Sequence, residues 1–250
     1  MTAQIRSVDY THEGDALEGS LAWDGSATGE RPCILIAHDA MKSRAGFEQD
    51  RALQLARMGY CAFVLDLYGK GVHGAQPEDA LPLMKPFQED RALLARRMAA
   101  GLEAARRQPE VDATRLAAIG YCFGGLCVLD LARSAAPVQG VASFHGILSP
   151  PDPASDFVAS ERIPARVLVL HGWDDPYVPP EQVEAFASEM TRAEADWQLL
   201  AFGRTLHGFS NPNANRPETG SAWEPKADRR SWRALEGFLE ELFPEELLPE

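Results

Sequence analysis

Cysteine, histidine and aspartate are the side chains of this 250-residue chain whose types and spacing could carry covalent catalysis. Cys122 lies in Gly120-Tyr121-Cys122-Phe123-Gly124-Gly125, between the apolar run Leu116-Ala117-Ala118-Ile119 and a helix-permissive apolar run over 126–132. Glycines two before and two after one reactive residue suit a tight strand-to-helix turn, in which a side chain at 120 or 124 has no room. Such a turn presents its central residue at the sheet edge, over a helix N-terminus that favours an anionic sulfur. A thiol nucleophile needs a base, and the base needs a partner on its other ring nitrogen. His207 can supply the first, and Asp174 or Asp175 the second. Asp175 is the better placed, because Pro176 and Pro179 stiffen the turn that follows, whereas Asp174 suits a side-chain cap of the same loop. The plainer alternative makes 120–125 a glycine-rich turn around a buried cysteine, and His207 a surface side chain.

These residues need a scaffold that brings 122, 175 and 207 together. Residues 4–23 alternate loosely around Glu13-Gly14-Asp15, as an antiparallel hairpin at a sheet edge does. Continuous apolar runs at 33–37 and 61–65 suit buried parallel strands. Further strands are expected at 116–119, 138–146, 165–170 and 197–202, and helices at 46–58, 87–107, 126–132, 180–191 and 228–243. Residues 72–86, with Pro77, Pro82 and Pro86, read as an irregular segment suited to a small lid. Strands alternating with helices imply an α/β fold: one domain over 1–250, a mostly parallel sheet covered on both faces, and an antiparallel N-terminal edge hairpin. Every polar cluster, from His38-Asp39-Ala40-Met41 to His207, then falls at a strand's carboxyl end, where open α/β sheets hold their ligands.

A formal charge of −13 argues against nucleic acid or an anionic membrane as partner. No apolar run reaches transmembrane length and the polar start lacks a signal-peptide core, so a cytoplasmic protein with reduced cysteines is expected. His38, His145 and His171, with Asp39 and Asp174, could be imagined around a metal ion, but they lack ligand spacing and each has a plain role in closing a strand. Neither metal nor cofactor is expected.

The order Cys122, acid, His207 matches the nucleophile, acid, histidine order of α/β hydrolases. Nearly the whole chain resembles the dienelactone hydrolase family (carboxymethylenebutenolidase-like) of that fold. The resemblance is carried by Gly120-Tyr121-Cys122-Phe123-Gly124-Gly125, Asp66-Leu67-Tyr68, Gly172-Trp173-Asp174-Asp175-Pro176-Tyr177-Val178-Pro179 and His207-Gly208-Phe209-Ser210-Asn211-Pro212. It implies a Cys122, Asp175, His207 triad that hydrolyses a small ester or lactone through an acyl-thioester. It also implies an oxyanion hole from the amides of Phe123 and Ala40, with Asp39, Met41, Tyr68, Trp173 and Phe209 around the substrate or thiol. The family's thiol-contacting glutamate is matched here by Asp39, one methylene shorter. The family's carboxylate-gripping arginine after the histidine is absent, which leaves Lys42, Arg44 or Arg204 to take its place. Thioester, peptide or bulky ester substrates fit the same triad, and a non-catalytic binding protein of this fold is the alternative of another class. The partner is a small molecule, and the chain is expected to act as a monomer or weak dimer.

Overall fold

The computed structural model describes residues 2–42 and 46–244. Strands β1 (Ala3–His12) and β2 (Asp15–Asp24) form the hairpin, joined by Glu13 and Gly14, whose φ values of 51° and 91° give the turn a twist that matches the strands. Strands β3 (Arg31–Ala37), β4 (Cys61–Val64), β5 (Val111–Tyr121), β6 (Gly140–Phe144), β7 (Arg166–Gly172) and β8 (Trp197–Phe202) complete an eight-stranded sheet in the order β1-β2-β4-β3-β5-β6-β7-β8. β2 runs antiparallel to β4, and every pairing from β4 to β8 is parallel.

The central strands are buried on both faces, and their side chains alternate between two cores. Ile34, Ile36, Ile119 and Leu168 pack with α1 (Phe47–Arg57) and α6 (Pro225–Leu242) on one face. Cys33, Leu35, Ala118 and Val167 pack on the other with α3 (Arg91–Arg106), α4 (Phe123–Arg133) and α5 (Pro180–Arg192). Parallel register places Ala37 beside Gly120, Tyr121 beside Phe144 and Phe144 beside Leu170. The strand ends are therefore level, and the loops that follow them share one rim.

Two expectations need correction. Residues 87–107 are not one helix: α2 (Ala80–Glu89) ends before Asp90, whose carboxylate accepts from the Leu93 amide at 2.7 Å and starts α3 afresh. Nor is 72–86 irregular throughout, since a 3-10 turn at Pro77–Asp79 leads directly into α2. Pro77 and Pro82 stand in the first turns of these helices, where an amide hydrogen is not needed, so here the prolines start helices instead of preventing them. Asp79 supports the start by accepting from the amides of Ala75 and Gln76 at 2.8 and 2.9 Å. No described helix is long and apolar enough to cross a membrane.

Candidate active site

Steric exclusion builds the turn at Cys122. A Cβ on Gly120 would lie 2.0 Å from the Gly124 oxygen, and one on Gly124 would lie 2.1 Å from the Ala37 oxygen. Only glycine allows strand, turn and helix to pack this closely. Gly125 is held in the same way, because its Cβ would meet Ser143 Oγ at 2.6 Å and Gly146 Cα at 2.7 Å. Helix α4 begins at Phe123, immediately after Cys122, which is left at φ 56°, ψ −113°, a conformation rare outside glycine. Cys122 is partly exposed, whereas Cys33, Cys61 and Cys127 are buried. Burial pushes the thiols of Cys33 and Cys127 well up, and that of Cys61 to about 11.

His207 arrives from the loop after β8. A two-stranded ribbon of β9 (Asn215–Arg216) and β10 (Ser221–Ala222) pins it there: its amide donates to the Gly220 oxygen and its carbonyl accepts from Ala222, both at 3.0 Å. No sequence pattern pointed to this ribbon, whose strands have two residues each. His207 Nδ1 donates to Asp175 Oδ2 at 2.7 Å. The other Asp175 oxygen accepts from the Tyr177 amide at 2.9 Å, and the Tyr177 ring stands edge-on to His207 with 5.0 Å between centroids. Asp174 is exposed and among the described residues makes only a backbone bond to Thr205, so the structure brings Asp175 to the histidine and leaves Asp174 outside.

Burial alone would lower the pKa of His207, but the neighbouring Cys122 sulfur and the Asp175 carboxylate outweigh it and raise it to about 10. The Cys122 sulfur is a near neighbour of the ring, one that favours its protonated form. Thiol, imidazole and carboxylate thus stand in series, as proton transfer between sulfur and nitrogen requires.

On the other wall, Asp39 Oδ1 accepts from the amides of Met41 at 2.8 Å and Lys42 at 3.1 Å, which curls 38–42 into a tight loop carrying Ala40. Tyr68 joins this loop to the turn at Cys122: its hydroxyl donates to the Ala40 oxygen at 2.9 Å, and its ring stacks on Phe123 at 6.2 Å. Among the described residues neither Phe123 nor Ala40 donates its amide to a protein acceptor, so both are available to a ligand. Met41 faces the 72–86 segment, where its carbonyl accepts from the Gly74 amide at 2.7 Å. The rings of Tyr68, Phe87 and Phe123 pack on one another, with Phe87 supplied by α2.

Other expected contacts do not form. Phe209 is fully buried, packed edge-on against His145 and Phe202 at 5.1 and 5.4 Å, and so belongs to the core instead of a substrate pocket. Trp173 is exposed with its ring beside His171, and among the described residues no contact links it to Cys122 or His207. Asp39 spends one oxygen on its own loop and, among the described residues, makes no hydrogen bond to the thiol. Lys42 is held by Asp66 at 2.6 Å and the Gly69 oxygen at 2.8 Å, and Arg204 lines a hollow with Lys226 and Arg230 to which Cys122, Asp175 and His207 do not contribute. Arg44 lies outside the described residues.

Two buried groups take roles that the sequence does not assign: it gives no signal for Glu48, and it offers His145 only as the end of a strand. Glu48, in the first turn of α1, accepts from the Asp39 amide at 3.0 Å, and burial, then the nearby Asp39, push its carboxyl up to about 8. His145 accepts from the Cys122 amide through Nδ1 at 3.2 Å. Its position at a strand end, before Gly146, was the only signal.

Fold and site together are those of an α/β hydrolase. The model of the dienelactone hydrolase family matches residues 17–243, and the chain belongs to that family and is a hydrolase. It is similar to a solved dienelactone hydrolase-like promiscuous phosphotriesterase from metagenomic libraries, 36% identical with a TM-score of 0.90, covering 96% of this chain and 99% of that one. A Bradyrhizobium protein named as a probable 2-oxo-3-(5-oxofuran-2-ylidene)propanoate lactonase is 24% identical over 89% of this chain and 93% of its own. An uncharacterized Caenorhabditis elegans protein is 36% identical over 59% of this chain and 92% of its own.

Proposed function

We propose that Cys122 is the nucleophile of a hydrolase of small esters or lactones that works through an acyl-thioester, with His207 as base and acid and Asp175 as its orienting partner. One observation carries this: a partly exposed cysteine at a strained turn, beside an imidazole whose far nitrogen is held by a buried carboxylate 2.7 Å away. The sulfur attacks the carbonyl carbon, and the charge that develops on oxygen is taken by the amides of Phe123 and Ala40. Loss of one such donor typically costs about 3 kcal/mol of barrier. As the carbon–oxygen bond breaks, His207 gives its proton to the departing oxygen. Water then attacks the thioester, His207 accepts a proton from it, and the acid leaves with Cys122 restored.

The rings of Tyr68 and Phe87, packed on Phe123 beside the nucleophile, support an uncharged acyl group, as does the engagement of Lys42 with Asp66. The test is intact-mass spectrometry during turnover of a 4-nitrophenyl ester. One acyl group should appear on the protein, and Cys122→Ala should lose both the adduct and turnover, by about 10⁴-fold or more, while keeping its fold. Full activity in that variant would remove Cys122 from the mechanism. The similarity to a promiscuous phosphotriesterase adds a second substrate class, since a P=O oxygen could occupy the same two amides. A dialkyl aryl phosphate in the same assay reads that out.

A further inference from the structure

A second imidazole lies beside the nucleophile, and the cycle above leaves it idle. His145 follows β6 with a left-handed backbone, φ 40°, and only 2% of its surface is exposed. The Cys122 amide is shared between the Phe144 oxygen at 3.0 Å and His145 Nδ1 at 3.2 Å. An amide can only donate, so Nδ1 carries the lone pair and the ring's hydrogen sits on Nε2. Nε2 therefore donates to Ser210 Oγ, at 2.8 Å.

Ser210 stands three residues after His207 and is fully buried. Its carbonyl accepts from Arg51 Nη2 at 2.9 Å, and Arg51 is in turn paired with Asp228 at 2.6 Å, which anchors this end to α1 and α6. The His145 ring also packs edge-on to His207, with 5.1 Å between centroids. One small ring thus touches the amide of Cys122, the imidazole of His207 and the loop that carries it. Burial first, then the cations of His207 and Arg51, push its pKa well below the usual histidine value. The ring has to be neutral here, because a proton on Nδ1 would face the amide hydrogen.

We propose that His145 and Ser210 are positioning residues, a rigid neutral spacer that sets the separation between the Cys122 sulfur and the His207 imidazole. The proposal rests on Cys122 and His207 being the reacting pair. It accounts for two left-handed non-glycine residues, Cys122 and His145, meeting at adjacent strand ends. Each such residue costs on the order of 1–3 kcal/mol unless its surroundings hold it, and the shared amide bond holds both.

The test compares His145→Phe, His145→Asn and Ser210→Ala, with melting temperature, kcat and KM on a neutral aryl ester, the rate of Cys122 alkylation by iodoacetamide, and the His207 titration by NMR. Phenylalanine keeps the ring packing and removes both nitrogens. It should lower kcat by about 10–100-fold with KM within about twofold, as expected when reacting groups shift by a fraction of an ångström. Alkylation should slow in parallel, and the His207 titration should fall from about 10 towards 6.5. Asparagine places an acceptor oxygen where Nδ1 stands and should recover most of the alkylation rate. Ser210→Ala cuts only the far bond and should cost about 3–10-fold in kcat. Unchanged kcat, alkylation and His207 titration in His145→Phe would overturn the proposal. So would losses in His145→Asn and Ser210→Ala that appear in KM alone at wild-type melting temperature, and these two decide the matter if His145→Phe does not fold. Alkylation needs no substrate, so these outcomes are distinct from activity surviving in Cys122→Ala, which would remove the reacting pair itself.

Discussion

The two walls of the site are held by different physics. At residues 120–125 backbone meets backbone, and the contacts that define the turn involve glycine positions with no space for a methyl group. Across from it, 38–42 is shaped by polar groups: Asp39 on its own loop amides, Glu48 on the Asp39 amide, and His38 between the Asp39 oxygen at 2.7 Å and the Leu67 amide at 3.2 Å. Burial pushes His38 down to about 4, so the ring that makes both bonds is neutral. The first wall should answer to volume and not to pH. The second should do the reverse.

The severest test of that contrast is Gly124→Ala. With backbone 2.1 Å from the new Cβ, nothing flexible can give way, and we expect a loss of more than about 4 kcal/mol, seen as failure to fold or a collapsed melting temperature. Gly203, where an added methyl would meet no atom within 4 Å, is the control, and alanine there should change stability by less than about 1 kcal/mol. Similar effects at the two glycines would end the steric account.

Next in size is the carboxylate that holds His207, Asp175. Asp175→Asn keeps the shape but leaves Nδ1 without its anionic acceptor, and kcat should fall by about 10²–10⁴-fold. Asp174→Asn, at an exposed side chain, should stay within about twofold in the same ester assay. The opposite ranking would move the acid role to Asp174.

The smallest effect concerns Glu48. Its folded pKa, about 8, lies above the ordinary carboxylate value, so the folded protein holds a proton that the unfolded chain releases. Stability is accordingly lost as pH rises from about 4.5 to 8, where the buried carboxyl is forced to ionise. Glu48→Gln keeps the acceptor for the Asp39 amide without that charge. The variant should match the parent near pH 4 and exceed it by about 1 kcal/mol or more at pH 9, measured by urea unfolding across the pH range. His207, raised to about 10, loses its own contribution between about 6.5 and 10, and that slope should persist in Glu48→Gln. Identical pH curves for parent and variant would show that Glu48 is not held neutral.

What is legible in the sequence follows the same division. The turn at Cys122 is legible because its cause is local, two glycines around one residue between an apolar strand and an apolar helix. Strands and helices are legible wherever burial on both faces leaves a continuous apolar run or burial on one face imposes a period. The break at Asp90 is not, because an aspartate within a helical pattern also suits an exposed face, and only its bond to the Leu93 amide makes it a cap. Phe209 escapes for a related reason. A residue two after the histidine can face the site or the core, and here its ring fills space between His145 and Phe202.

The amino-acid order by itself determined the alternating layers, the glycine-enforced turn and the succession of thiol, acid and imidazole, since each depends on spacing along the chain. Only the folded molecule decided that Asp175 and not Asp174 meets His207, that Lys42 is spent on Asp66, and that His145 and Glu48 brace the two walls. Those outcomes depend on which polar atoms lose water together. That is set by side chains brought from distant strands, and no local pattern records it.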